Sequence, residues 1–285
     1  MKSNDVTVVV RSCGRPVLLQ RALTSIVDQT LPPAEIVVVT IGVAGADAIA
    51  GLNNPPPIKV VSSAAGRSRG GALNDGIAAA ASPWIAFLDD DDTWAPQFLE
   101  RVSPLLVAGD TQPGFGGVIT QTMAVFEKLA NNAVVEKKRS LFNADLRVAD
   151  LATLAAGNRF TLNAMVIRRE VFAAVGHYRE DLPVLEDWEF NVRAASRFHF
   201  DVIPEALARY HQRTSVGDNA NTSLAEHRRV AVLIRNEWLR ADLAAGRVGL
   251  GQLSLAGEAR GLGALLDTLR NWRDWLRGRL GLPRR

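Results

Sequence analysis

Four consecutive aspartates, Asp89, Asp90, Asp91 and Asp92, stand directly after the apolar run Trp84-Ile85-Ala86-Phe87-Leu88. Two unit charges about 4 Å apart repel by roughly 4 kcal/mol at an effective dielectric near 20. Such a run is costly unless a cation or a proton offsets it. Side chains alternate along an extended segment, so Asp89 and Asp91 are expected on one face. Hard carboxylate oxygens suit Mg2+ or Mn2+, and Mg2+ typically combines one or two carboxylates with phosphate oxygens. The chemistry points to a phosphate-bearing ligand; the plainer alternative is a solvated acidic turn that caps the next helix. Glu186 and Asp187 stand at a predicted helix start, where the macrodipole favours an anion; ordinary helix-end charge is the alternative. Arg67 and Arg69 precede Gly70-Gly71 in a loop that leads into a helix. Guanidinium forks and backbone N–H groups there suit phosphate, and two solvated loop arginines are the alternative. By itself His211 reads as a surface or core histidine, and Cys13 as a small loop residue.

The elements that must carry these groups alternate. Val6 to Val10 and Ile36 to Val39 are short buried strands, and Ile58 to Val61 and Trp84 to Leu88 are a third and a fourth strand. Helices are predicted from Pro16 to Thr30 and from about Ala72 to Ala81, which gives βαβ units and a parallel sheet. In an open α/β sheet the ligand crevice lies at the carboxyl ends of the strands, where the acid run falls. The second half reads as a helix over 94–107, a hairpin flanking Asn131-Asn132, a strand over 162–167 and a helix over 169–175. A helix over 186–197, a strand over 200–203 and a long helix over 223–244 follow. A linker at 246–251 leads to a last helix over about 259–280.

Composition bounds the class. The chain has 285 residues, 47% hydrophobic and 22% charged, an ordinary globular balance. Cys13 is the only cysteine, which excludes an intrachain disulfide. The net charge is +3, and residues 268–285 carry six arginines against one aspartate, so the rest of the chain is at −2. No segment resembles a secretory leader, and no run approaches ~18 apolar residues. The expected location is the cytoplasm.

In their order, several segments resemble family 2 glycosyltransferases, which have the GT-A fold. Trp84 through Pro96 looks like the metal-binding DXD segment. Residues 6–16 occupy the place of the first nucleotide-binding strand and loop, and 66–76 look like the segment that approaches the donor diphosphate. Arg168-Arg169-Glu170-Val171-Phe172 and Val175-Gly176-His177-Tyr178 resemble the approach to the catalytic helix. Leu185-Glu186-Asp187-Trp188-Glu189-Phe190 is similar to the acidic "ED" motif. Arg209-Tyr210-His211 with Thr214-Ser215 looks like the closing loop. The match covers about residues 5–216. It implies an α/β GT-A Rossmann-like mixed sheet with flanking helices, a catalytic domain over 1–216 and a helical C-terminal extension over 217–285.

The resemblance implies an inverting transfer of a sugar from a nucleoside-diphosphate donor to a hydroxyl of a glycan, lipid-linked or small-molecule acceptor, in cell-surface or envelope glycan synthesis. Asp187 carries over as the general base and Glu186 as its support. Asp89 and Asp91 carry over as the DXD pair on Mn2+ or Mg2+, Asp91 the more direct ligand, and His211 as a metal or diphosphate ligand. Arg11, Ser12, Arg67, Arg69, Asn74, Asp89 and Asp90 fall on the donor side. Two places depart from the pattern. Thr40-Ile41-Gly42-Val43-Ala44 lacks the base-reading aspartates, Asp47 being the nearest acid. Arg11-Ser12-Cys13-Gly14 replaces a run of the Pro-Thr-Tyr-Asn type. UDP is the expected nucleotide, with dTDP and GDP as alternatives. The rivals are a non-catalytic GT-A binding or scaffold protein and a metal-dependent nucleotidyltransferase.

In the tail Leu262, Leu265, Leu266, Leu269, Trp272, Leu276 and Leu280 recur at helical spacing with Arg270, Arg273, Arg277 and Arg279 between them. A basic amphipathic helix over 259–285 suits peripheral contact with the inner face of a membrane, or packing on the catalytic domain or a second subunit. It has no recognisable nucleic-acid motif, so no nucleic acid is expected.

Overall fold

Valine- and isoleucine-rich runs build the parallel half of the sheet: β1 (Val6–Ser12), β2 (Glu35–Ile41), β3 (Ile58–Ser63) and β4 (Trp84–Asp89). A computed structural model describes residues 5–42, 49–130, 133–213 and 224–259 of the chain. The four strands lie in the order β3-β2-β1-β4, and every residue of β1 is buried. Helix α1 (Pro16–Val27) follows β1 and buries Leu18, Leu19, Ala22, Leu23 and Ile26 against the core. Helix α2 (Arg69–Ala79) follows β3 and starts before the predicted Ala72. Ser68 explains the early start: its Oγ accepts the Gly71 N–H at 3.1 Å and caps the helix.

The second half completes a mixed sheet. It holds β5 (Thr93–Trp94), α3 (Phe98–Gly109), β6 (Phe115–Ala130), β7 (Ala133–Leu141), α4 (Leu151–Ala156) and β8 (Met165–Arg168). Then come α5 (Arg169–Val175), α6 (Glu186–Ala195), β9 (His199–Arg213) and α7 (Leu224–Ala245). The sheet continues from β4 through β8, β6, β9 and β5, with β7 paired to β6. β8 is antiparallel to both β4 and β6, and β6 is parallel to β9.

Three elements differ from their predicted form. The helix expected from residue 94 begins at Phe98, and Thr93 and Trp94 form a strand against Arg209 and Ala208. Trp94 is held there by tertiary contacts: its indole N–H donates to the Asn163 carbonyl at 2.7 Å and its ring stacks on Phe98. A 3₁₀ turn, Leu162–Ala164, takes up the start of the strand expected from 162. The short strand expected over 200–203 runs on to Arg213, so Arg209, Tyr210 and His211 lie in a strand rather than a closing loop. Pro204 sits where the ladder shifts register between Ile203 and Ala206, a place that needs no ladder N–H.

Contacts divide the chain into a unit of residues 1–149 and 159–231 and a second unit of 150–158 and 232–285. In the second, Asp150 caps α4 through the Thr153 N–H, and Asp242 accepts the Gln252 N–H. The expected boundary at 216 and 217, Asp47, Asn131-Asn132, Thr214-Ser215 and residues 260–285 of the tail lie outside the described residues. Among the described residues no helix is long and apolar enough to cross a membrane.

Candidate active site

The acid run is a turn, not the extended segment its alternation suggested. The Asp92 N–H donates to the Asp89 carbonyl at 3.0 Å, and the Asp90 N–H to the Arg11 carbonyl at 3.0 Å. The turn leaves β4 beside the end of β1, because Arg11 and Asp89 are register partners on the two strands. Each acid then takes its own direction. Arg11 grips both oxygens of Asp89, Nε to Oδ1 and Nη2 to Oδ2, each at 2.9 Å. Asp90 is buried and organises the β1–α1 loop, accepting from the Ser12 hydroxyl, the Cys13 N–H and Arg15. Burial pushes the Asp90 carboxyl up, against the opposing pull of Arg15. Asp91 Oδ2 accepts from Arg15 at 2.8 Å and from Arg213 at 2.5 Å. Asp92 is buried, its Oδ1 accepts the His211 backbone N–H, and burial with Asp91 and Asp89 nearby pushes its carboxyl well up. The charge that the sequence left to a metal ion or a proton is thus compensated largely by guanidinium groups.

A second layer lies behind the turn. Glu127 of β6 accepts from Arg21, Arg213 and the His211 ring. Burial pushes its carboxyl up, yet the hydrogen bonds from His211 and Arg21 outweigh that and hold it at about 2. A carboxylate so held only accepts, so His211 Nδ1 carries the proton that points to Glu127 at 2.7 Å. His211 Nε2 then accepts from the Thr93 hydroxyl at 2.8 Å. Both ring nitrogens are engaged, and burial keeps the imidazole neutral by lowering its pKa. The His211 ring thereby braces Glu127 and Thr93. Glu127, Arg15, Arg21 and Arg213 were not singled out from sequence. The available signal for Glu127 was an acid in inward phase, two residues after the buried Val125.

The start of α6 is packed from below by aromatic rings. Phe190 stacks on Phe172 at 5.0 Å and lies 4.4 Å from Tyr178, whose ring meets Phe87 of β4 edge-on at 5.7 Å. Phe87 stands two residues before Asp89, so this cluster ties the helix to the strand that carries the acid turn. Leu185 enters the helix at φ 64°, a left-handed conformation that is costly for leucine. Glu186 follows, buried, with one oxygen shared by Arg11 at 3.1 Å and Arg69 at 2.9 Å. Burial raises its pKa, but Arg69 and Arg11 outweigh it and hold the carboxyl below its ordinary value. Asp187 is half-buried, and its Oδ1 accepts the Trp188 N–H at 2.7 Å.

At the start of α2 the expected donor-side residues part company. Arg67 pairs with Asp75 and Glu180, and Asn74 clamps Tyr178 by donating to its carbonyl and accepting its N–H. These two hold α2 to the segment before α6. Ser12 is spent on Asp90 and Arg11 on Asp89 and Glu186. Arg69 alone of this group keeps a partly exposed side chain with only its Nε on an acid among the described residues.

Asp89, Asp91 and Asp92 each offer a carboxylate oxygen, and the three oxygens lie within 4.8 Å of one another. An all-oxygen donor set at that spacing fits a hard divalent cation. The sequence profile of glycosyl transferase family 2 matches residues 7–174. The chain belongs to glycosyl transferase family 2. An uncharacterized glycosyltransferase, YwdF of Bacillus subtilis (strain 168), is 25% identical over 224 residues, 79% of this chain and 80% of that one. The succinoglycan biosynthesis protein ExoO of Rhizobium meliloti (strain 1021) is 37% identical over 102 residues, 35% of this chain and 29% of that one. Among solved structures, S. aureus TarS 1-349 in complex with UDP-GlcNAc aligns with a TM-score of 0.62 at 17% identity, covering 90% of this chain and 72% of that one. The mannosyltransferase PcManGT of Pyrobaculum calidifontis, in complex with GDP-Man and Mn2+, aligns with a TM-score of 0.55 at 18% identity, covering 95% and 82%. These structural likenesses establish the GT-A fold of this family 2 member.

Proposed function

We propose that the chain moves a sugar from a nucleoside-diphosphate donor, UDP-linked in the first instance, to an acceptor hydroxyl with inversion at the sugar carbon. One observation carries the reading: the acid turn ending β4 and the acidic start of α6 meet through a single guanidinium, Arg11. Acids expected on the donor side and the acceptor side are thus joined by one side chain. Asp187 takes the proton of the acceptor hydroxyl as the new bond to the sugar carbon forms, while the bond to the diphosphate breaks and its electron pair leaves with the nucleotide. A positioned base of this kind contributes about 10²–10⁴-fold. Arg69 supplies N–H donors to the diphosphate from the α2 start. Asp91, with Asp92 and Asp89, would hold Mn2+ or Mg2+, which offsets the charge that develops on the leaving diphosphate. The UDP-GlcNAc held by TarS supports a uridine donor; the GDP-Man and Mn2+ held by PcManGT support the cation and keep guanosine as the alternative. The relative named for succinoglycan biosynthesis supports a role in glycan synthesis. In this reading residues 1–216 are the catalytic portion and 217–285 an accessory extension.

Calorimetry with UDP, dTDP, GDP, CDP and ADP, each with and without Mn2+, tests the reading. One diphosphate should bind in a Mn2+-dependent way, and Asp91→Ala should abolish that binding. Failure of all five to bind the folded chain would favour the scaffold rival. Pyrophosphate release from a nucleoside triphosphate would favour the nucleotidyltransferase.

A further inference from the structure

Nothing in the transfer chemistry itself calls for a cation at Arg11. Its side chain is 3% exposed, at the carboxyl end of a central strand. Burying a guanidinium is costly unless its charge and its donors are matched. Here they are. Two N–H groups fork onto Asp89, and a third and fourth reach the Glu186 carboxylate and the Arg69 carbonyl at 3.1 and 3.2 Å. Glu186 in turn receives Arg69. A chain of charges, buried at Arg11 and Glu186 and partly exposed at its ends Asp89 and Arg69, therefore runs from the end of β4 to the start of α6 and the start of α2. The neighbours of its two acids are the groups with work to do: Asp91 stands two residues after Asp89, and Asp187 directly follows Glu186.

We propose that Arg11 is a positioning residue for transfer, whose one guanidinium fixes the spacing between the donor-side acid turn and the helix start that carries Asp187. The proposal rests on the transferase reading given above. A planar fork is needed, because two parallel bonds to Asp89 set its orientation while the third group reaches Glu186. A lysine at the same place keeps the charge and loses the fork. In Arg11→Lys each half of the site survives and their mutual placement does not. Reaction rates fall steeply when reacting groups are misplaced by about 1 Å, on the order of 10²-fold.

The test compares wild type, Arg11→Lys, Glu186→Gln and the double variant by three readouts: melting temperature, calorimetric affinity for UDP with Mn2+, and turnover of the UDP-sugar. The expected pattern in Arg11→Lys is a nucleotide affinity within about threefold of wild type and a kcat lower by about 10²-fold. The double variant should be no slower than the slower single variant, because both substitutions break one linkage. Equal proportional losses of nucleotide affinity and kcat, or single effects that multiply in the double variant, would overturn the proposal. So would wild-type kcat in Arg11→Lys, with the transferase reading left standing. Absence of both nucleotide binding and turnover in the wild-type chain would overturn the proposal and that reading together. If Arg11→Lys does not fold, Glu186→Gln breaks the same linkage with an isosteric side chain, and the same split between affinity and kcat decides.

Discussion

Asp90 shows how little residue type says about role when four identical residues stand in a row. The turn sends Asp89 to Arg11, Asp90 to the β1–α1 loop, Asp91 to Arg15 and Arg213, and Asp92 to the β9 backbone. The acid chemistry was legible because a charged run after a buried strand is costly. The division of labour was not, because it depends on partners far away in the chain. Glu127 is the clearest case, a carboxylate on β6 with partners on α1 and β9. Glu127→Gln removes a buried charge from Arg21 and Arg213, and a loss on the order of 3 kcal/mol is expected in urea unfolding. The same holds for His211: only the fold shows Glu127 and Thr93 on its two ring nitrogens. Thr93→Val takes the proton donor from buried Nε2 and should cost about 1–3 kcal/mol. Mn2+ affinity in the presence of UDP should be unaffected by it; a large loss would mean that His211 acts on the cation after all.

The elements position the site by close approach. α2 lies so near β1 that a Cβ on Gly76 would come 2.3 Å from the Val9 Cγ1. Gly76→Ala must push the helix or the strand away, with an expected cost of about 1–3 kcal/mol in thermal unfolding. At Gly70 the Cβ would meet the Arg179 carbonyl oxygen at 2.3 Å, a backbone atom that yields less readily. That contact brings the start of α2 within reach of Glu186. Phe190→Ala opens the aromatic cluster under α6 and should cost about 3–5 kcal/mol. Strand and helix existence in the first half was legible from periodicity, since β1, β2 and β4 are short apolar runs and helices follow β1 and β3. β9 was legible only at its start, over 200–203: Pro204 and the polar Arg209, His211 and Arg213 look like a loop, yet this strand pairs with β6 along most of its length. Tertiary pairing decided there, as it did for Trp94.

For the molecule as a whole, acid is the expected weakness. Glu127 titrates at about 2 in the fold against an ordinary 4.5, so the stability it contributes is complete above about 4.5 and is lost as pH falls toward 2. His211 is held below its ordinary 6.5, so folding favours the neutral ring, and stability declines as pH falls below that value. Melting temperature should therefore be steady above neutrality and fall in two stages on acidification. In Glu127→Gln the stage below 4.5 should shrink.

The central claim is that Asp187 takes a proton in a sugar transfer supported by the acid turn of β4. The measurement that bears on it most directly is nucleoside-diphosphate release from the preferred donor and acceptor by wild type and Asp187→Asn, with nucleotide affinity measured on both. Wild type should release nucleoside diphosphate steadily, Asp187→Asn should show a kcat about 10²–10⁴-fold lower, and the two should bind the nucleotide equally well. Undiminished turnover in Asp187→Asn would contradict the claim.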